Sequence, residues 1–372
     1  MSSISQNARV VKLGDVCHIL DSRRRPVTAK DRIAGPYPYY GANGVQDYVN
    51  DYIFDDDLVL LAEDGGHFGS KTKPIAYRVS GKCWVNNHAH VLKPKQGLNI
   101  DYLCYSIMYY DVSKLVNGAT RQKLTQADMR KMKIPLRDES EQLKVVSILD
   151  SVFDQINLYQ KWIDMLDDLV KSRFVEMFGD PALNPNGYPK TSLSQIASYY
   201  GGLTYRPSDV VEEGGTIVLR SANIQDGSLV FEDVVRVSCK IRDRFFVRQN
   251  DILMCSRNGS ARLVGKAALI KNLAEPMSFG AFMMIIRSEY YQYLLSYLHT
   301  HAFRSQVQTG TATINQITGR MLDSVVLPVP PIQLVREFET FVQQVDKSRF
   351  AVQRAIEQLE TLKTSLMQEY FG

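Results

Sequence analysis

Cysteine, histidine and tryptophan are scarce, and their placement excludes several classes of protein. The five cysteines, Cys17, Cys83, Cys104, Cys239 and Cys255, stand far apart with no Cys-x-x-Cys pair. That speaks against a disulfide framework or a thiolate zinc site, and for a reducing cytoplasm. No apolar run approaches the ~20 residues of a membrane span; the longest include Leu58 to Ala62 and Ala281 to Ile286. Met1 to Asn7 lack the basic-then-apolar pattern of a signal peptide. A cytoplasmic protein is expected.

Catalytic patterns are missing too. Gly65 to Thr72 has the flavour of a phosphate loop, but Ser70 separates Gly69 from Lys71, where the pattern requires adjacency. Gly265-Lys266 is adjacent yet lacks the spacing and the following Ser or Thr. There is no Gly-x-Ser-x-Gly elbow. His67, His88 and His90 lack a His-Glu-x-x-His pattern or a cysteine partner, so they read as ordinary strand and loop histidines, and Asp55-Asp56-Asp57 reads as a turn. No catalytic residue, no metal site and no cofactor of its own is expected.

What is present is ordinary in composition. The chain has 372 residues, 45% hydrophobic and 23% charged, with a net charge of +4. That suits a globular protein of two or three domains.

An internal repeat organises it. Ser172-Arg173-Phe174-Val175-Glu176-Met177-Phe178-Gly179 returns as Ser365-Leu366-Met367-Gln368-Glu369-Tyr370-Phe371-Gly372, an offset of 193. The same offset carries Lys133-Ile134-Pro135-Leu136 onto Val326-Leu327-Pro328-Val329, and Leu124-Thr125 onto Ile317-Thr318. Val11 to Val16 corresponds more loosely to Thr191 to Ile196. The chain is therefore two copies of one unit, too long to be a solenoid repeat of ~20 to 50 residues. Each copy opens with short apolar runs broken by Gly, Pro, Asn and Asp, the pattern of a β-rich globular domain.

Each copy closes differently. Gly and Pro disappear between Pro135 and Gly179, and apolar residues recur in heptads: Leu149, Ile156, Ile163, Val170 and Met177, with Val152, Tyr159 and Leu166 beside them. The second copy has Phe338, Val345, Val352, Leu359 and Leu366, flanked by Leu334, Phe341, Ala355 and Leu362. Two long helices pairing as an antiparallel coiled coil are predicted, each reaching ~55 Å at ~1.5 Å per residue. The expected fold is α+β: two β-rich domains related by pseudo-two-fold symmetry, over 1–140 and 180–332, with helices over 141–179 and 333–372.

Charge separates along these boundaries. Residues 141–178 carry a net −3 and residues 336–369 a net −1, leaving +8 elsewhere. The basic heads suit a polyanion, double-stranded DNA. Their loops carry groups able to reach bases and phosphates. In the first copy these are Arg23, Arg24, Arg25, Tyr40, Asn43, His67, Ser70, Lys71, Lys73, Arg121, Gln122 and Lys123. In the second they are Tyr205, Arg206, Arg220, Asn223, Arg257, Asn258, Arg262, Thr313, Asn315 and Gln316. Half-sites one helical turn apart lie ~34–36 Å from each other, within reach of two heads on such a rod.

In this order, twice, the β-rich domain, the proline-containing exit (Lys133-Ile134-Pro135-Leu136, then Glu141-Gln142-Leu143; Val326-Leu327-Pro328-Val329-Pro330-Pro331, then Gln333-Leu334), the long helix and the closing Phe-Gly resemble the specificity subunit of type I restriction-modification enzymes. Gly201-Gly202-Leu203-Thr204-Tyr205 and Tyr39-Tyr40-Gly41-Ala42-Asn43-Gly44 are similar to segments of that family's target-recognition domains. The resemblance implies a non-catalytic DNA-binding subunit whose heads each read half of a bipartite, asymmetric site. It further implies two modification subunits that use S-adenosylmethionine to methylate adenine. Restriction subunits using ATP and Mg would join the same complex where present. The first copy departs at Arg137-Asp138-Glu139-Ser140-Glu141, where the second has Pro330-Pro331-Ile332. A coiled-coil adaptor whose heads bind protein is the competing reading.

Overall fold

The computed structural model describes residues 8–70, 72–118, 122–307 and 315–372. Of the expected contact residues, Lys71, Arg121 and Thr313 lie outside them. The chain divides into two compact units, residues 1–161 with 353–372, and residues 162–352.

The first unit is built from β1 (Arg9–Lys12), α1 (Leu13–Val16), β2 (Cys17–Ile19), β3 (Ala34–Gly41), β4 (Gly44–Val49), β5 (Phe54–Asp55), β6 (Leu58–Ala62), β7 (Ala76–Val79), β8 (Lys82–Val85), β9 (Ala89–Pro94), α2 (Ile100–Met108), β10 (Val116–Asn117), β11 (Lys123–Leu124), α3 (Gln126–Met129) and β12 (Lys133–Leu136), leading into α4 (Glu139–Phe178). The wholly apolar β6 explains the layering. Successive strand side chains point to opposite faces, so Val59 and Leu61 enter one core with Leu103 and Ile107 of α2, while Leu58 and Leu60 enter a second core with Val79, Val85 and Val91. The sheet β2-β9-β6-β7 is thereby sandwiched between helices and the sheet β4-β3-β8-β5. Asn99 starts α2, its side chain accepting from the amides of Asp101 and Tyr102.

The second unit repeats this plan with β13 (Lys190–Ser192), α5 (Leu193–Ile196), β14 (Ser198–Gly201), β15 (Val210–Val211), β16 (Thr216–Leu219), β17 (Ile224–Gln225), β18 (Ser228–Leu229), β19 (Val235–Val237), β20 (Ile252–Cys255), β21 (Ala267–Leu269), β22 (Met277–Phe279), β23 (Met283–Arg287), α6 (Tyr291–Leu298), α7 (His301–Val307), α8 (Gly319–Asp323) and β24 (Val326–Pro328), before α9 (Ile332–Phe371). Its sheets are β14-β23-β20-β21 and β15-β19-β16-β22. Here Ile252 and Met254 of β20 face the helices, whereas Leu253 and Cys255 face the second sheet. Most strand pairs are antiparallel and the helices cover one face, an α+β arrangement in both units.

The repeated sequence pieces have identical tasks. Thr125 and Thr318 cap α3 and α8, accepting from the Asp128 and Met321 amides. The carbonyls of Pro135 and Pro328 accept from the hydroxyls of Tyr102 (2.8 Å) and Tyr293 (2.6 Å). Gly179 ends α4 with φ of 73°, a left-handed conformation that glycine adopts without strain.

The two helices of 40 residues each contribute to both units. Within the first, Arg137 ahead of α4 donates to the Tyr370 carbonyl, and the Lys363 ammonium lies 5.4 Å from the Phe153 ring centroid. Within the second, Asp167 pairs with Arg349 and Phe174 packs against Phe338. The helix segments in each unit therefore run antiparallel. Of the expected seam, Leu149, Phe338 and Val345 are buried, while Ile156, Ile163, Val170, Val352 and Leu359 are half-buried. Leu362 leaves the heptad pattern at 45% exposure.

Candidate nucleic-acid interface

At one end of the sheets in each unit, chain segments distant in sequence meet around the same backbone frame. In the first unit the Glu63 amide donates to the His88 carbonyl (2.8 Å), and the Leu124 amide donates to the Glu63 carbonyl (2.8 Å). In the second, the Ser256 amide donates to the Phe282 carbonyl (2.9 Å), and Ile317 donates to the Ser256 carbonyl (2.8 Å). Antiparallel bridges join Asp64 to Lys123 and Arg257 to Gln316. Four of these five positions correspond at the offset of 193, and His88 and Phe282 at 194, so the frame is part of the repeat. The side chains on it differ entirely.

On the first frame, Asn43 donates to the Gly65 carbonyl (2.9 Å), tying the β3–β4 turn to the glycine-rich loop. Ser70 Oγ accepts from the Lys73 amide (2.9 Å), shaping the loop that also holds His67. Tyr77, whose hydroxyl donates to the Gly41 carbonyl, lies 5.8 Å from Tyr40 between ring centroids. Gln122 is exposed, and Lys123 pairs with Glu63 at 2.9 Å while about half of its side chain stays in solvent. Arg25 is exposed, its backbone pinned by Val85 and by the Trp84 indole (2.6 Å). Arg23 lies apart from this corner, donating to the Ile53 carbonyl and covering the Phe54 ring.

Below the frame is a buried ionic cluster. His90, wholly buried, places Nδ1 2.6 Å from Asp21 and Nε2 2.9 Å from the Leu124 carbonyl. Both ring nitrogens meet oxygen atoms of the protein, so the ring is fully engaged in the interior. Asp21 also accepts from the Val91 amide and from Gln126, and Glu63 accepts from Arg24 (2.6 Å). Burial pushes the Asp21 carboxyl up, but the bonds from His90, Val91 and Gln126 outweigh it and hold it below its ordinary range. Glu63 behaves likewise, burial being outweighed by Lys123 and Arg24. Asp21, Glu63 and His90 have ligand-like spacing. Cationic and amide donors already occupy these carboxylate oxygens, so the group reads as an internal ion-pair network.

Two expected contact residues thus belong to the interior. Arg24 is spent on Glu63, Asp21 and the Ala89 carbonyl. Asn223, 1% exposed, caps the turn after β16 by accepting from the Arg220 amide, and donates to the carbonyls of Val230 and Asp233. Polar side chains at loop-like positions serve folding as well as binding, and sequence does not separate the two uses.

On the second frame, Asn258 donates its amide N–H to the Asn315 carbonyl (3.3 Å), Asn258 Nδ2 lies 3.4 Å from Ser221 Oγ, and Asn315 donates to the Gly259 carbonyl (3.3 Å). These bonds gather three of the expected loops. Arg220 pairs with Asp233 (3.0 Å), while Arg262 and Gln316 are exposed. Tyr205 packs on a small cluster with Leu203, leaving Arg206 exposed. Gly202 must be glycine, because a Cβ there would sit 2.1 Å from the Gly280 carbonyl oxygen.

Sequence reasoning missed Asp64, His88 and Phe282 as members of these corners. The offset of 193 that relates Asp64 to Arg257 could have found the first. No described helix is long and apolar enough to cross a membrane.

Residues 6–166 match the family model of the type I restriction modification DNA specificity domain. The chain is 38% identical over 140 residues to a putative type I restriction enzyme specificity subunit of Haemophilus influenzae, covering 38% of this chain and 36% of that protein. It thus spans little more than a third of that relative's length. A type I specificity subunit of Methanocaldococcus jannaschii is 19% identical over 98% of this chain and 92% of its own. Among solved structures, the type I restriction-modification S subunit from M. genitalium aligns over 100% of this chain and 98% of its own, with a TM-score of 0.58 at 13% identity, a likeness of fold.

Proposed function

We propose that this chain is a type I restriction-modification specificity subunit, the non-catalytic, DNA-reading subunit of such a complex, each unit recognising one half of a bipartite, asymmetric site, a reading supported by its likeness to the specificity-domain family and to curated specificity subunits. One observation carries the reading: the same hydrogen-bonded frame occurs in both units and presents different polar side chains, Asn43, Gln122 and Lys123 on one, Arg257, Asn258 and Gln316 on the other. A common scaffold with divergent tips suits the recognition of two different half-sites. The backbone amides and lysines position the duplex; the longer Arg, Asn and Gln side chains suit base edges in the major groove.

The long helices serve as the spacer and as the surface for two modification subunits. Their net acidity is unsuited to DNA, and Trp162, Met165 and Leu169 expose 44%, 66% and 46% along one stretch of α4. Exposed apolar groups at helical spacing fit a protein partner. Adenine methylation with S-adenosylmethionine, and any restriction step using ATP and Mg, then take place on partner subunits.

Mapping of N6-methyladenine in a genome expressing the full chain with its modification subunits tests this reading. The expected result is a single gapped motif with two unlike halves, and binding whose affinity falls steeply with salt. Methylation without sequence preference overturns it.

A further inference from the structure

The equivalent corners of the two units differ most at one pair of positions. In the first unit Asp64 meets His88 Nδ1 at 2.8 Å. In the second the same two places on the frame hold Arg257 and Phe282, with the guanidinium carbon 5.6 Å from the ring centroid. An acceptor-bearing pair in one unit is replaced by a five-donor cation against an aromatic ring in the other.

Arg257 is held where a reading residue would need to be. Its amide donates to the Phe282 carbonyl (3.1 Å), which also accepts from the Ser256 amide and from Ser256 Oγ (3.0 Å). The antiparallel bridge to Gln316 secures its other side. The root of the side chain is thus clamped between three chain segments while the residue itself is exposed, and Phe282 beside it is 60% exposed. Three other arginines of the unit are neutralised, Arg236 by Glu275, Arg287 by Asp251 and Arg220 by Asp233, whereas Arg262 on the same loop is exposed but, among the described residues, lacks the bridge and the aromatic neighbour that steady Arg257. Among the described residues, Arg257 has no carboxylate partner.

We propose that Arg257, steadied by Phe282, is a specificity-determining residue of the second unit and takes a guanine through O6 and N7. A planar guanidinium matches those two acceptors bidentately, whereas a carboxylate at the equivalent place repels them. The base pair met at the corresponding place by the first unit is therefore a different one. This assignment rests on the DNA-reading function proposed above.

The test is methylation mapping with the full chain and its modification subunits, comparing the unmodified protein with Arg257→Ala, Arg257→Gln and Phe282→Leu. Arg257→Ala is expected to relax one guanine position of one half-site by about 10- to 100-fold and to leave the other half unchanged. Arg257→Gln should move the preference at that position toward adenine, since glutamine matches adenine N6 and N7. Phe282→Leu should weaken the guanine preference without replacing it. Retention of the unaltered half-site in each variant reports that the complex has folded and assembled.

A motif unchanged by every Arg257 variant, with methylation reduced evenly across sites and a salt slope lower by about one, makes Arg257 a phosphate contact and overturns the assignment alone. A normal bipartite motif whose halves lack guanine at the affected position also overturns it. Loss of all sequence preference in the unmodified protein instead overturns the DNA-reading function.

Discussion

Asp21→Ala is expected to lower the stability of the first unit by about 3–5 kcal/mol, the cost of removing one member of a buried, hydrogen-bonded ionic cluster. Asp21 and His90 are 8% and 0% exposed, and Asp21 supplies the carboxylate to Nδ1 while also accepting from Val91 and Gln126. Removing it strands the imidazole, a strand amide and a side-chain amide together. The two tryptophans make the measurement direct, because Trp84 lies in the first unit and Trp162 in the second. In a Trp162→Phe background, urea unfolding followed by Trp84 fluorescence should show the midpoint for Asp21→Ala falling well below that of its parent. A shift under ~1 kcal/mol would mean that the cluster is solvated and structurally idle.

The same cluster sets an acid limit. Asp21 and Glu63 are both held below the ordinary carboxylate range, despite burial, by His90, Val91 and Gln126 in one case and by Lys123 and Arg24 in the other. A depressed carboxyl contributes stability that is present above its unfolded value and is lost as pH falls through the folded one. The first unit should therefore hold its stability from neutral pH down to roughly 4 and lose it below. Glu63→Gln should flatten that acid limb. An unchanged acid limb would place the sensitivity elsewhere.

The second large effect is expected from Phe338→Ala, again about 3–5 kcal/mol, now in the second unit. Phe338 is fully buried, with ring centroids 5.9 Å from Phe174 and 5.3 Å from Phe178, while Phe178 lies 5.1 Å from Tyr293. This group joins α4, α6 and α9 within the unit, so a cavity there loosens both long helices at once. Hydrogen exchange should show protection lost across α6 and residues 332–352, with residues 9–136 unaffected. Leu183→Ser provides the contrast: at 78% exposure it should move stability by less than ~0.5 kcal/mol. Equal effects of the two substitutions would refute the packing account.

Much of this architecture could be read along the chain because its causes are local or periodic. Thr125 and Thr318 cap helices wherever they begin, Gly179 ends one because of its backbone freedom, and unbroken heptads between Pro135 and Gly179 require a long amphipathic helix. The two corners were only half legible. Asn43, Arg257, Asn258 and Asn315 stood out by residue type, yet Arg24 and Asn223 looked the same and are committed to internal bonds. Phe282 carried no signal, since a single aromatic residue before an apolar strand is unremarkable until its carbonyl is seen to receive three donors.

By itself, the sequence determined that this protein is a duplicated unit with β-rich heads and two long helices, because repetition and hydrophobic period survive in one dimension. Only the tertiary structure decided which polar residues stand at each corner. Asp21, Glu63, His90 and Lys123 become one cluster, and Arg257, Phe282 and Gln316 another, through hydrogen bonds between segments tens of residues apart. Burial then turns some charges into internal braces and leaves others exposed to meet a ligand, a distinction set by solvent access rather than by residue type.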